Sequence, residues 1–327
     1  MAEVGLVAIG RNEGQRLEVC LKSALGKVSA VVYVDSGSTD GSVELARSLH
    51  VEVVELDLSL SFTAARARNA GFSRLLAMAP DLKFVQFVDG DCEIVEGWLD
   101  QARQELEAHS KVAAVCGRRR ERFPERSPYN RLCDLEWDTP VGEADACGGD
   151  AMYRVAAFQQ ADGFTPTLIA GEEPELCLRL RQQGWKVIRV DAEMTLHDAD
   201  MMRFDQWWNR VLRAGHAYAE GAWLHGREPE RYWVKESRSI WIWGGLVPLL
   251  ALGWAGLTQG WSLLLFAAYP LTAFRIYRYG RQRGWGTQDS LLYAGSCVAG
   301  KFPNLAGQIK FHWNRLLGRQ NQLIEYK

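Results

Sequence analysis

Phe84-Val85-Gln86-Phe87-Val88-Asp89-Gly90-Asp91 is an apolar run that ends in two carboxylates around one glycine. The run is short, and it reads as a buried strand. Similar segments recur on both sides, at residues 4–9, 30–35, 51–56, 112–116 and 186–190. Between them, residues 13–25, 42–49, 64–79 and 98–109 have helical spacing, as do 152–160 and 175–183, the last ending at Gly184. Residues 117–147 read as irregular and charged. Strands alternating with helices at this spacing predict an α/β fold with a mostly parallel, Rossmann-like sheet covered on both faces. Ligands in such sheets sit at the carboxyl ends of the strands, here Asp35 and the Asp89-Gly90-Asp91 trio.

The 327 residues are 24% charged and 47% hydrophobic, enough to build a core. The net charge of −2 hides an asymmetry: residues 1–199 sum to −10 and residues 200–327 to +8, and ten of the 13 tryptophans lie after residue 200. An acidic front and a basic, Trp-rich rear do not suggest a duplex-DNA binder but a soluble unit joined to a part that meets an anionic membrane face, and no nucleic-acid partner is expected. Seven cysteines with no CxxC pair argue against a disulfide framework or a zinc site and for a reducing compartment. No secretory leader is expected.

The chemistry gathers at four places. Paired carboxylates at one strand end repel unless something positive lies beside them. A divalent cation shared with diphosphate oxygens answers that charge, because hard cations take oxygen ligands. The second strand end carries Asp35-Ser36-Gly37-Ser38-Thr39-Asp40-Gly41, an acid followed by a turn that can cap the next helix. An acid placed there can accept hydrogen bonds from a nucleobase or a sugar. Neither GxxxxGK[ST] nor GxGxxG occurs, which removes the P-loop and dinucleotide readings. In Gly171-Glu172-Glu173-Pro174-Glu175, three carboxylates open a helix where its dipole favours them. Such a carboxylate either serves the helix alone or acts as a general base. His197 gains a role only if the strand before it returns to the Asp89-Gly90-Asp91 segment.

The order and spacing of these four signals resemble the family 2 glycosyltransferases of GT-A fold. More residues carry the resemblance: Arg11-Asn12-Glu13, Ala64-Ala65-Arg66-Ala67-Arg68-Asn69-Ala70-Gly71, Gly148-Gly149-Asp150-Ala151-Met152-Tyr153-Arg154 and Gly163-Phe164. It covers roughly residues 3–225. It implies a nucleotide-diphospho-sugar donor held by Glu13, Asp35, Arg68, Asp89 and Gly90. It further implies a divalent metal, Mn2+ or Mg2+, on Asp91 and His197, and a general base at Glu173 with Glu172 in reserve. Asp150 stands where the family often has Asn, and Ser36 where it often has a second Asp. The stretch after His197 lacks the Gln-x-x-Arg-Trp motif of processive members, so transfer of a single sugar, with inversion, is expected. Asp150, Arg118 and Arg210 are the expected acceptor-side residues. The competing readings are a nucleotidyltransferase on a similar sheet and a non-catalytic, membrane-anchored nucleotide-sugar binder. The lack of a basic Gly-rich loop near the first strand opposes the first, and the intact carboxylate set opposes the second.

From Ser239 to Phe274 there is no charged residue. Thr258-Gln259-Gly260 interrupts the run, Lys235 and Arg238 precede it, and Arg275, Arg278, Arg281 and Arg283 follow. The expected organisation is a catalytic domain at 1–230 and a membrane-associated helical region at 231–327, with an apolar two-helix hairpin at about 239–274 that spans the bilayer or is deeply embedded in it and a basic amphipathic tail at 275–327. Basic flanks on both sides place both ends at the cytoplasmic face of the cell membrane. There the expected partners are membrane lipids and a glycan or polyprenyl-linked acceptor.

Overall fold

The computed structural model describes residues 3–319 and 323–324. Residues 320–322 and 325–327, at the end of the expected tail, lie outside the described residues. The chain forms two units, Met1–Phe123 with Glu136–Ala199, and Pro124–Leu135 with Asp200–Lys327.

The first unit is built on one sheet. Its strands are β1 (Val4–Gly10), β2 (Ala30–Asp35), β3 (Glu52–Glu55), β4 (Phe84–Asp89), β5 (Cys92–Ile94), β6 (Val112–Glu121), β7 (Gly142–Glu143), β8 (Ala151–Arg154) and β9 (Lys186–His197). They lie in the order β3-β2-β1-β4-β8-β6-β9-β5, with β7 on β9. Strands β1 to β4 pair in parallel, as does β6 with β9. The expectation of a mostly parallel sheet holds for its front half only. Strand β8 enters antiparallel between β4 and β6, and β5 and β7 run antiparallel to β9. The sheet is therefore mixed.

The helices follow as α1 (Gln15–Ala24), α2 (Ser42–Ser48), α3 (Ala64–Met78), α4 (Trp98–Ala108), α5 (Pro128–Glu136, at the division between the units), α6 (Val155–Gln160) and α7 (Glu172–Gln182). Residues 152–160 are not one helix. The first three belong to β8, because pairing with two neighbours satisfies their backbone groups better than an isolated turn would. Nor is 117–147 irregular throughout: β6 runs on to Glu121, and α5 follows.

The core of this unit is the apolar face of β1, β2 and β4 against α3. A Cβ on Gly71 of α3 would lie 2.4 Å from Val7 and 2.7 Å from Val34, so the helix rests directly on the sheet. Phe72, Phe87, Tyr153, Phe158 and Phe164 form one aromatic cluster. On the opposite face of β4, the buried Gln86 accepts a 2.9 Å hydrogen bond from the Trp98 indole. This rigid floor carries the loops that follow β1, β2 and β4.

The second unit is helical: α8 (Phe204–His225), α9 (Val234–Trp241), α10 (Val247–Gly253), α11 (Ala268–Gln282), α12 (Thr287–Ala299) and α13 (Lys301–Leu316) join α5. Helix α8 groups here, where the sequence reading had ended the first domain at residue 230. Helix α13 does not stand alone as an amphipathic tail. It crosses α8 closely enough that a Cβ on Gly215 would meet the Asn304 carbonyl, and one on Gly307 the Leu212 carbonyl. The charge-free run is not a pair of uniform helices. A π-helical turn, Ile242–Leu246, joins α9 to α10, and a 3-10 segment, Trp261–Ala267, leads into α11. Among the described residues, no helix is long and apolar enough to cross a membrane, so the expected spanning hairpin is not supported. Helix α5 is tied within this unit: Met201 N–H donates to Asn130 Oδ1 at 3.0 Å, Ser127 Oγ donates to the Met201 carbonyl at 2.6 Å, and Arg131 pairs with Asp289 at 2.5 Å.

Candidate active site

Strand β4 delivers Asp89 to its carboxyl end, and Gly90 turns the chain there. Gly90 N–H donates to the Ile9 carbonyl at 2.8 Å. A Cβ at this position would lie 3.1 Å from that oxygen and 3.2 Å from Glu13 Cγ, so the loops after β1 and β4 touch because this residue has no side chain.

Asp89 is gripped from two sides. Arg68, from the first turns of α3, meets its Oδ1 at 2.7 Å, and Arg119, from β6, meets its Oδ2 at 2.7 Å. Burial works against ionising Asp89, but the two guanidiniums outweigh it and hold its carboxyl well below the usual range. Arg68 is buried and also pairs with Glu172 at 2.7 Å and Glu173 at 3.3 Å. Arg119 bonds Asp150 at 2.9 Å and lies 5.1 Å from the centre of the Trp137 ring. Asp150 in turn accepts from Asp89 N–H at 3.1 Å and from Thr195 Oγ1 at 2.7 Å. It is 1% exposed, so its carboxylate braces this network.

The two glutamates differ. Glu172 is buried against Arg68, while the Glu173 side chain keeps 15% exposure. Burial, followed by the neighbouring Glu172 charge, raises the Glu173 carboxyl to about 7, against the opposing pull of Arg68. Gly171 precedes them with φ of +79°, a conformation glycine adopts without strain, and turns the chain into α7.

Gly149 sits over the middle of this cluster. A Cβ there would come 2.5 Å from Arg68 Nη2 and 3.1 Å from both Asp89 Oδ2 and Glu173 Oε1. Gly149→Ala is therefore expected to lower stability by about 1–3 kcal/mol, as overpacking does. It should also cut any catalysis at this cluster by about tenfold or more through displaced carboxylates. Thermal melts and steady-state rates check this, and wild-type values in both would refute it.

His197 ends β9, which returns beside β5 in register with Cys92. The strand thus brings the imidazole to the segment holding Asp91, the condition the sequence left open. His197 Nε2 lies 3.3 Å from Asp91 Oδ2, and Nδ1 lies 3.3 Å from Glu121 Oε2. Burial, with the charge of Arg119, lowers the imidazole pKa. A hydrogen on Nδ1 directed to Glu121 leaves the Nε2 lone pair facing a carboxylate oxygen. Two facing acceptors call for a cation between them, and a carboxylate backing a histidine is the usual setting of a metal ligand. Asp91, His197 and Cys92 offer ligand atoms within 4.8 Å of one another. Asp89, Asp150, Glu172 and Glu173 gather around Arg68 and Arg119, and Asp91 and Glu121 flank His197, an acidic setting that also suits a divalent ion. The donor set fits one.

Glu13 pairs with Arg16 at 2.9 Å beside Gly90. Asp35 is buried, and its carboxylate accepts from Tyr33 O–H at 2.9 Å and from Gly37 and Ser38 N–H at 2.8 Å each. It shapes its own turn, and Asn12 locks onto that turn by accepting from Thr39 N–H at 2.7 Å. Arg118 lies 3.7 Å from Asp138, and the exposed Arg120 lies 3.5 Å from Glu193. The three arginines are thus part of β6, where the sequence reads as irregular. Arg210 stands half-exposed on α8, in the second unit. The sequence reading missed the placements of Arg119, Glu121, Trp137 and Gly149. Arg119 had no local signal, because the pairing of β6 with β9 and its register shifts near Gly117 set which way it faces.

The fold belongs to the GT-A class of nucleotide-diphospho-sugar transferases. A mannosyltransferase from Pyrobaculum calidifontis, solved in complex with GDP-Man and Mn2+, is similar with a TM-score of 0.62 at 17% identity, over 96% of this chain and 88% of that one. Residues 7–160, just under half of the chain, match the family model for glycosyl transferase family 2, so the chain carries a domain of that family. A TPR repeat-containing protein of Synechococcus elongatus is 28% identical over 252 residues. That alignment covers 66% of this chain and 58% of the relative, so the chain spans less than two thirds of the relative's length.

Proposed function

We propose that this enzyme transfers one sugar, with inversion, from a nucleotide-diphosphate donor to an acceptor hydroxyl, with Glu173 as the general base. The observation that carries the proposal is the Glu173 carboxyl, raised to about 7 and held beside Asp89 by the Arg68 bridge. A base with that affinity is free of its proton at working pH yet still strong enough to take one. In the transfer, Glu173 takes the acceptor hydroxyl proton as the oxygen forms its bond to the anomeric carbon. The bond from that carbon to the diphosphate breaks, and the nucleoside diphosphate leaves with its electrons. Arg68 and Arg119 keep Asp89 ionised and fixed at the donor end. Asp91 and His197 would hold the divalent metal, Mn2+ or Mg2+, which offsets charge growing on the departing diphosphate. Glu13, Asp35 and Gly90 lie on the loops assigned to the nucleotide. The Mn2+ and GDP-Man bound by the Pyrobaculum mannosyltransferase support this reading.

For the acceptor we propose a lipid-linked glycan at the cytoplasmic membrane face. The leucines and tryptophans exposed along residues 246–274 support it.

Thermal melting with UDP, GDP, dTDP and CDP, each with and without Mn2+, tests the donor site, because a ligand that binds only the folded state raises Tm. One nucleotide is expected to give a shift of several degrees that needs Mn2+ and disappears in Asp91→Ala. A shift of equal size in that variant would remove Asp91 from the metal site.

A further inference from the structure

The charge-free run has a construction that a water-facing hairpin does not need. Helix α9, the π-helical turn and α10 follow one another with helical backbone angles at each junction, so they form one arm. The 3-10 segment and α11 form the other, after a turn at Gly260 with φ of +89°. The charge-free part of each arm, residues 239–253 and 261–274, is roughly 20–25 Å long. The hydrocarbon core of a bilayer is about 30 Å thick, so neither arm crosses it.

The surface of both arms is apolar. Leu249, Leu252, Trp254, Leu257, Trp261 and Leu264 are each more than half exposed, and Leu257 reaches 86%. The hydroxyls in this stretch turn away from solvent. Thr258 Oγ1 donates to the Trp254 carbonyl at 2.9 Å and accepts from Ser262 N–H at 3.0 Å. Ser262 Oγ donates across the turn to the Ala251 carbonyl at 2.7 Å, and the Tyr269 hydroxyl donates to the Trp243 carbonyl on the opposite arm. The backbone N–H groups of Thr258, Gln259, Gly260 and Trp261 all donate within the turn. A turn in water can leave such groups to the solvent, whereas in hydrocarbon each must be satisfied internally. The open ends of both arms are basic, with Lys235 and Arg238 on one and Arg275, Arg278 and Arg281 on the other; Glu236 is the one acid among them.

We infer that residues 239–274 form a re-entrant wedge that enters an anionic bilayer from one side and turns back inside it. Its tip at Trp254–Gly260 lies in the hydrocarbon, and both basic ends stay at the headgroups of entry, where anionic lipid attracts them. This deepens the membrane-face reading above by fixing how the chain meets the lipid. It does not depend on which donor is bound.

The full-length protein is mixed with vesicles of phosphatidylcholine alone and of phosphatidylcholine with 30% phosphatidylglycerol, and binding is read by flotation. Binding is expected to be at least tenfold tighter to the anionic vesicles, and to fall at least tenfold in Leu249→Asp/Leu252→Asp/Leu257→Asp. That variant should keep the nucleotide-dependent melting shift, which separates failure of the wedge from failure of the donor site. Equal binding by the variant would overturn the inference, as would a dimer that the variant turns into a monomer with vesicle binding unchanged. Depth is read with lipids brominated at different acyl positions. Bromines deep in the chain should quench best, and the quenching should fall in Trp254→Phe/Trp261→Phe. Strongest quenching by shallow bromines would mean a hairpin that lies flat or spans, and either overturns re-entry.

Discussion

Glu173→Gln will fold and bind nucleotide like the wild type, and it will lose about 100- to 10,000-fold in transfer rate, the range a positioned general base contributes. The substitution keeps shape and removes only the ability to take a proton. Because burial and the Glu172 charge raise the wild-type carboxyl to about 7, the group is protonated and inactive below that pH. Transfer by the wild type should climb about tenfold per pH unit up to pH 7 and level off above. The residual rate of Glu173→Gln should lack that rise. Glu172→Gln is the informative partner. Its carboxylate meets Arg68 at 2.7 Å in a buried pair, so its loss should lower stability and, because its charge helps raise the Glu173 carboxyl, move the rise to lower pH without removing it. If Glu172→Gln erased the rise near pH 7 and Glu173→Gln kept it, the base would be Glu172.

Arg68→Met should be the most damaging change to stability. One buried guanidinium bridges Asp89, Glu172 and Glu173. Methionine approximates the stem and leaves those carboxylates without that cation. Removing one partner of a buried pair costs about 3–5 kcal/mol. The Asp89 side chain retains 29% exposure and Arg119 remains beside it, which favours the lower end. Tm should fall by roughly 6–15 °C. The sign with pH follows from Asp89. Its pKa is depressed in the folded state, so its contribution is present above the unfolded value and is lost as pH falls through the folded one. The variant's deficit should be full at neutral pH and shrink below about pH 4. A deficit that stayed constant down to pH 3, or a Tm within 2 °C of the wild type at pH 7, would refute the bridge.

Much of this centre was legible before any coordinates. Strands β1, β2 and β4 are buried on both faces, so they read as unbroken apolar runs, and their acidic ends stand out. Glu172, Glu173 and His197 stood out by residue type and by place in the chain. The illegible parts depend on partners distant in sequence. Residues 151–154 have no strand signal of their own, and they become one because β4 and β6 offer open edges on either side. Arg118, Arg119 and Arg120 fall in a stretch that reads as irregular and charged. Only the pairing of β6 with β9, with its register shifts near Gly117, turns Arg119 toward Asp89 while Arg120 stays outside. The length of the charge-free run suggested two helices. The glycines and prolines within it divide the run into the shorter pieces observed.

The discontinuity of the second unit bears on how the gene can be cut. Residues 124–135 lie between two stretches of the sheet-bearing unit, yet they hold Met201 and Asp289. A fragment ending at residue 199 would retain that insert and discard what it binds, leaving the Asn130 amide and the Arg131 guanidinium without those partners. Exchange of helical units between related enzymes thus needs three junctions, near residues 123, 135 and 199. A chimera joined only at the last of these would carry one enzyme's α5 against another's α8 and α12.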